Sequence, residues 1–224
     1  MSTALAAAIA RPRWMIDLDD TLIDSTEAHR KAFEAVLSRM APTTIRLFDY
    51  ASVRGMSTRT ALRALGIEDT TLVDTILRTK QALYRQAVDD GEVVALPGAR
   101  RLLSTLHDEG RPAMIVTSGS RSSAAAALSA TGLIPFIAGL VTAEDAERSK
   151  PAGDPYVVAC ERSGCRPEEA VAVEDSANGI VSALSAGLAV IGVGGHRPAH
   201  VPGLPSIADL AALLEASIRM TADA

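Results

Sequence analysis

The stretch RWMIDLDDTLIDS, residues 13–25, places an apolar run directly before acidic side chains at positions 17, 19, 20 and 24. The apolar run is typical of a buried strand, and carboxylates crowded at its end repel one another. Such crowding is favourable when a divalent cation joins the carboxylates, and hard oxygen ligands favour Mg²⁺. The stretch therefore predicts a functional site at the mouth of the first core strand.

The composition indicates one α/β domain, or a core domain that carries a small insertion. Of the 224 residues, 48% are hydrophobic and only 3% aromatic, so the core must consist mostly of Ala, Leu, Val and Ile. The formal net charge of −5 argues against nucleic acid or an anionic membrane as partner. No apolar run approaches membrane-spanning length. A chain of this size can be a monomer or a homodimer.

The cysteines and the N-terminus give a first expectation of location. Cys160 and Cys165 have no His or Cys cluster nearby in the sequence, so we expect reduced thiols and not a zinc site. The opening MSTALAAAIARPR lacks a basic region before its apolar stretch, and we interpret it as a frayed terminus and not a signal peptide. We therefore expect a cytoplasmic protein.

Apolar runs rich in Val and Ile alternate with helical patterns along most of the chain. The predicted strands are 13–17, 112–117, 137–142, 170–174 and 188–193, and the predicted helices between them are 98–110, 122–132, 154–164 and 176–187. A last helix is predicted over 206–218. Continuous apolar strands that alternate with helices predict a Rossmann-like parallel sheet with helices on both faces.

One segment breaks this alternation with helical patterns that have no strand between them. The predicted helices are 26–40, 57–66 and 69–90. The simplest explanation is a helical insertion after the first strand. We predict a core domain, residues 1–24 and 92–224, and a small α-helical cap domain, residues 25–91.

Chemically active side chains follow the predicted strands of the core. They are Asp17 and Asp19 after the first strand, Thr117, Ser118 and Gly119 after the second, Lys150 after the third, and Glu174 and Asp175 after the fourth. The carboxyl ends of parallel strands lie at the same edge of a sheet, where ligands bind. Carboxylates, hydroxyl and amide donors and a lysine at one edge are suited to Mg²⁺ and a phosphoryl group.

This set of residues allows roles to be assigned. Asp17 lies at the strand terminus and is predicted to attack phosphorus, forming an aspartyl-phosphate. Asp19 is predicted to protonate the leaving oxygen and then to activate water. Thr117 and the backbone N–H groups of Ser118 and Gly119 would hold the phosphoryl oxygens, and Lys150 would balance their charge. The predicted metal ligands are Asp17, the backbone carbonyl of Asp19, Glu174 and Asp175.

The motifs DLDDT, VTSG, SKPAGDPY and VEDSANG resemble, in order, the four motifs of the haloacid dehalogenase superfamily. The resemblance covers residues 13–195 and the branch with a small helical cap, and it implies the same roles for these residues. The founding dehalogenases lack the second aspartate, so Asp19 favours phosphoryl transfer over carbon–halogen cleavage. Taken singly, each motif also fits an ordinary acidic turn or helix cap; their coincidence at four strand ends argues against that explanation.

The cap and its flanks are similar in places to β-phosphoglucomutase and its sugar-phosphatase relatives. The substrate contacts implied by this resemblance are His29, Phe33, Lys80 and Arg59. In the loop RGMSTRT the arginine Arg59 lies one place late, so Arg54 is an alternative to it. Arg121, after the second motif, is a further candidate. Helix packing and solvated helix faces are the competing explanations for all of these residues.

These observations predict a Mg²⁺-dependent phosphatase that acts on a small phosphorylated metabolite, a sugar or polyol phosphate. A β-phosphoglucomutase-like phosphomutase is the alternative enzyme, because the cap resembles that of the mutase. The first motif favours the phosphatase, because it reads DDT, a form more typical of phosphatases. A catalytically silent phosphate-binding protein is a third hypothesis. It is disfavoured because a binding protein has no use for the acid/base Asp19.

Overall fold

The computed structural model describes residues 2–194, 201 and 203–222. Its strands are β1 (Arg13–Ile16), β2 (Ile23–Asp24), β3 (Val94–Ala95), β4 (Ala113–Val116), β5 (Ile137–Val141), β6 (Ala170–Glu174), β7 (Ala189–Val193) and β8 (Ser206–Ile207). Among the described residues, six strands form a parallel sheet in the order β5-β4-β1-β6-β7-β8. The five predicted core strands are all present within this sheet.

Helices cover this sheet and form the segment between β2 and β3. They are α1 (Thr3–Ile9), α2 (Thr26–Met40), α3 (Thr58–Ala64), α4 (Thr70–Asp89), α5 (Ala99–Asp108), α6 (Arg121–Ala130), α7 (Asp154–Ser163), α8 (Ala177–Ser185) and α9 (Leu210–Ala222). Short 3₁₀ helices lie at Ile45–Leu47, Tyr50–Val53, Ile134–Phe136 and Pro167–Glu169. The predicted Rossmann-like α/β fold is confirmed.

The central strand β1 shows why the apolar runs are continuous. Trp14 and Ile16 belong to one buried apolar cluster, and Met15 belongs to a second. Because successive side chains of a strand point to opposite faces, the sheet has an apolar layer on each side. β1 lies between β4 and β6, so the acidic residues that follow it emerge at the middle of the sheet edge.

The helices α2, α3 and α4 of the predicted cap have an apolar cluster of their own. This cluster includes Phe33, Leu37, Leu62 and Ile76. The chain enters this segment through β2 and leaves it through β3. These two strands pair antiparallel as a short ribbon, which was not predicted from the sequence. The division of the chain into two domains at residues 25 and 91 stays a prediction.

The prediction of a frayed N-terminus was wrong. Residues 3–9 form α1, whose first turn is capped by the Ser2 hydroxyl, 3.2 Å from the Leu5 amide. Leu5, Ala8 and Ile9 are buried, and alanine has the highest helix propensity. Apolar spacing of three and four residues therefore folds this segment onto the core instead of leaving it frayed.

The C-terminal helix begins later than predicted, because Ser206 and Ile207 pair with β7 as the strand β8. Met1 and residues 195–200, 202 and 223–224 of the predicted core domain lie outside the described residues. Cys160 and Cys165 are both free thiols. Within the described part of the chain, no helix combines the length and the apolar character that a membrane crossing requires.

Gly98 offers a test of how the core is packed. It has φ +87°, and a Cβ there would lie 2.7 Å from the Ala211 amide nitrogen of α9. We expect Gly98→Ala to lower the free energy of unfolding by about 2–4 kcal/mol, since it adds overpacking to left-handed strain. Urea denaturation measures this change.

Gly110→Ala is the matched control, because Gly110 has φ +71° and no atom within 4 Å of the added Cβ. It should cost only about 1–2 kcal/mol. Equal losses of stability in the two variants would contradict the described contact between Gly98 and α9.

Candidate active site

The predicted core residues meet at the carboxyl edge of the sheet. Asp17 follows β1, Thr117 follows β4 and Asp175 follows β6, while Lys150 comes from the loop between β5 and α7. A pocket at this edge is also lined by cap residues. Its lining includes Asp17, Asp19, Asp20, His29, Phe33, Tyr50, Arg54, Lys80, Ser118, Gly119 and Asp175.

Lys150 holds the carboxylates of Asp17 and Glu174 in place. Its Nζ donates to Asp17 Oδ1 at 2.6 Å, to Glu174 Oε1 at 2.6 Å and to the Val116 carbonyl at 2.8 Å. Burial lowers the pKa of Lys150, but the two carboxylates raise it well above its usual value, so the amine stays charged. An ammonium has three N–H donors, and here all three are engaged. In this structure Lys150 therefore orients Asp17.

Asp17, Glu174 and Asp175 form a buried acidic cluster, with one oxygen of each within 4.8 Å of the others. Burial raises the pKa of Asp17 well above its usual range, against the opposing effect of Lys150. Burial and the neighbouring Glu174 raise the pKa of Asp175 to about 7. These three buried carboxylates outnumber the two cations that pair with them, Lys150 and Arg54. The donor set fits a divalent cation such as Mg²⁺, which prefers oxygen ligands.

Glu174 is fixed from two further sides. Its Oε1 accepts a hydrogen bond from the Tyr156 hydroxyl at 2.5 Å. Across the carboxylate lies Gly179 of α8, where a Cβ would be 1.9 Å from Glu174 Oε2. Neither role is predicted from the sequence, although Tyr156 ends the motif SKPAGDPY and Gly179 ends VEDSANG.

Asp19 is surrounded by hydrogen-bond donors. Its Oδ1 accepts from Ser25 Oγ at 2.8 Å and lies 3.0 Å from His29 Nε2, while its Oδ2 accepts from Thr117 Oγ1 at 3.0 Å. Burial alone would raise the pKa of Asp19, but these neighbours, His29 foremost, lower it well below its usual value. The side chain is therefore ionised, the form that a general base needs. Ser25 was not singled out from the sequence.

The cap extends this arrangement away from the sheet. Lys80 Nζ lies 2.7 Å from His29 Nδ1 and 4.8 Å from the centre of the Phe33 ring. The His29 ring stacks on Tyr84 with centroids 4.1 Å apart. Burial lowers the pKa of Lys80 to about 8. Of the predicted substrate contacts, the structure thus brings His29, Phe33 and Lys80 into the pocket.

The structure does not bring the other two predicted substrate contacts into this pocket. Arg59 is exposed and pairs with Asp74 at 2.7 Å. Arg121 is the first residue of α6 and pairs with Asp145 at 2.5 Å. The arginine that lines the pocket is Arg54, which was only the alternative to Arg59 in the sequence analysis.

Comparisons with known proteins show to which family the chain belongs. The family model described as haloacid dehalogenase-like hydrolase matches residues 15–193. Hexitol phosphatase A of Escherichia coli (strain K12) is 35% identical over 196 residues, which is 87% of each chain. Validoxylamine A 7'-phosphate phosphatase of Streptomyces hygroscopicus subsp. limoneus is 31% identical over 183 residues, 80% of this chain and 84% of that one.

A solved structure of β-phosphoglucomutase from Clostridium difficile matches with a TM-score of 0.76 and covers 95% of this chain and 99% of its own. At 15% identity, this likeness shows the shared fold. The family model covers most of the chain and spans all of the strand ends that build the pocket. The chain belongs to the haloacid dehalogenase-like hydrolase family.

Proposed function

We propose that this protein is a Mg²⁺-dependent phosphoric monoester hydrolase that acts on a small phosphorylated metabolite, a sugar or polyol phosphate. Two relatives that share about a third of its residues are named as phosphatases. One is a hexitol phosphatase, and the other is a validoxylamine A 7'-phosphate phosphatase. The observation that carries the proposal is the pairing of Asp17, oriented by Lys150, with an ionised Asp19 beside it.

The residues that would hold the metal are Asp17, Glu174, Asp175 and the backbone carbonyl of Asp19. When bound, Mg²⁺ neutralises the charge of the phosphoryl oxygens and joins the buried carboxylates. Lys150 keeps Asp17 aimed in one direction and supplies positive charge close to the nucleophile.

In the first step, the Asp17 carboxylate attacks phosphorus, and the bond from phosphorus to the leaving oxygen breaks. The leaving alkoxide takes a proton from Asp19. This role requires protonated Asp19, and the arriving phosphate favours that form because a neighbouring negative charge raises a carboxyl pKa. The Thr117 hydroxyl accepts from the Gly119 amide at 2.9 Å and donates here to Asp19 Oδ2, and protonation of Asp19 would free it to donate to a phosphoryl oxygen.

In the second step, Asp19 removes a proton from water, and the resulting hydroxide attacks the phosphorus of the aspartyl-phosphate. The bond between phosphorus and Asp17 breaks, which releases phosphate and restores the carboxylate. The donors that keep Asp19 ionised, Ser25 and His29, favour this step once the alcohol has left. Hydrolysis of the intermediate is what distinguishes a phosphatase from a phosphomutase.

A β-phosphoglucomutase-like phosphomutase is the second candidate, because the cap residue His29 contacts Asp19 and Lys80 contacts His29 in turn. If the cap excludes water and places a second hydroxyl of the substrate at the aspartyl-phosphate, the phosphoryl group returns to the substrate. Two assays separate these two enzymes. One measures phosphate release, and the other measures isomerisation of glucose 1-phosphate in the presence of a bisphosphate primer. Isomerisation without net phosphate release would overturn the phosphatase proposal.

The roles of the two aspartates are tested with p-nitrophenyl phosphate and a panel of sugar and polyol phosphates in the presence of Mg²⁺. Asp17→Asn should lower turnover by roughly 10⁴-fold or more, since no nucleophile remains. Asp19→Asn should still be phosphorylated slowly and then stall before phosphate release, as an acid-trapped phosphoprotein would show.

Asp24→Asn is the matched control, because Asp24 belongs to the same stretch but is exposed. Its turnover should stay within about twofold of wild type, as for other surface positions. Wild-type turnover no greater than that of Asp17→Asn would favour the silent binding protein instead. Unchanged steady-state turnover in Asp19→Asn would contradict the acid/base role.

The pH dependence tests Lys80 as a contact for anionic substrate. Its pKa is lowered to about 8, so the positive charge is present below that pH and is lost as the pH rises through it. We expect kcat/KM of the wild type, which reports the free enzyme, to fall above about pH 8. Lys80→Met should lower kcat/KM about tenfold at pH 7 and remove this limb of the profile.

Lys31→Met provides the comparison, because Lys31 is exposed and pairs with Glu92 outside the pocket. Its pH profile should superimpose on that of the wild type. A Lys80→Met profile that keeps the alkaline limb would show that another group titrates there.

A further inference from the structure

Arg54 places a positive charge from the cap against the acidic cluster. Its Nη2 donates to Asp175 Oδ2 at 2.7 Å, and its Nε donates to Asp20 Oδ2 at 3.1 Å. The side chain of Asp175 is almost fully buried, while that of Arg54 is 29% exposed. The guanidinium therefore satisfies a buried carboxylate from the pocket side.

The backbone around Arg54 is docked on the core as well. The Arg54 carbonyl accepts from Asn178 Nδ2 at 3.3 Å, and the Gly55 carbonyl accepts from Ser118 Oγ at 3.0 Å. Gly55 has φ +77°, and a Cβ there would lie 3.0 Å from Ser176 Oγ. The turn formed by Arg54 and Gly55, which we call the docking turn, thus contacts three of the core loops that build the site.

The docking turn closes the cap over a small space. The pocket volume is about 60 Å³, which holds roughly four to six water molecules at 10–15 Å³ each. This space is small for a sugar phosphate, and release of the docking turn would enlarge it. Whatever weakens its contacts with the core will favour the open cap.

A metal ion would weaken the strongest of these contacts. Both oxygens of Asp175 have partners here, Arg54 on Oδ2 and the Thr21 hydroxyl on Oδ1 at 3.3 Å. A metal bound to Asp175 would take up part of the negative charge of this carboxylate and would repel the guanidinium bound to the same carboxylate. The Asp175 carboxylate therefore binds each cation more weakly when both are present.

We propose that Arg54 and Mg²⁺ compete for Asp175, so that metal binding releases the docking turn and frees the cap to admit substrate. Arg54 is in this sense a positioning residue, which acts through Asp175 on the cap and not on the reacting atoms. The inference rests on the metal site of the proposed function. Linkage requires that what metal does to Arg54, Arg54 does in return to metal affinity.

The test is Mg²⁺ binding by isothermal titration calorimetry, without substrate, on the full chain. Arg54→Gln should bind Mg²⁺ roughly fivefold more tightly or better than wild type, the lower end for coupled binding equilibria. Arg54→Lys keeps a cation but loses the planar fork, and its affinity should lie between the two. Arg59→Gln removes a charge from the same loop, where Arg59 pairs with Asp74, and should match wild type.

Hydrogen exchange at the docking turn gives a second readout that a purely structural ion pair would not produce. In wild type, Mg²⁺ should speed exchange of the Met56 amide, which donates to the Val53 carbonyl at 3.1 Å next to the docking turn, and in Arg54→Gln its exchange should be fast with or without metal. An Arg54→Gln variant that binds Mg²⁺ no more tightly than wild type would overturn the competition. No Mg²⁺ binding by any of the four proteins would overturn the metal site itself, and the proposed function with it.

Discussion

The ion pair network of Lys150 is the constraint on which the site depends. Three carboxylates are buried at one sheet edge, and an uncompensated buried charge is strongly destabilising. Lys150 joins Asp17 and Glu174 through one ammonium that also bonds the Val116 carbonyl. The third carboxylate, Asp175, receives its cation from the cap. The fold therefore tolerates the cluster by drawing positive charge from two separate parts of the chain.

This division of charge connects catalysis with cap movement. The core cation, Lys150, is fixed in the interior, so it can orient the proposed nucleophile Asp17 without moving. The cap cation is partly exposed and belongs to a turn held by a few hydrogen bonds, so it can leave. A site built in this way is most negative when the cap is open, which is the state that should attract a divalent cation.

The sequence predicts the core and its motifs well because both depend on local signals. Each core strand is a short apolar run, and most motif residues lie at or just after the end of such a run, while Lys150 lies farther along the loop between β5 and α7. The misses are of another kind. The ribbon of β2 and β3 and the strand β8 have two residues each and depend on pairing with distant partners. Arg54, and not Arg59, lies in the pocket because cap docking decides which arginine of the loop faces the core. Gly179 has its role only through the position of Glu174, which no local pattern reveals.

The central claim is that the carboxylate at the end of β1 accepts a phosphoryl group. A crystal structure with Mg²⁺ and beryllium trifluoride tests it most directly, because this mimic bonds to the acceptor oxygen. The account predicts the mimic on Asp17 and the cation between Asp17 and Asp175, with Lys150 beside them. A mimic bonded to another residue, or acidic side chains turned apart with no cation between them, would contradict it.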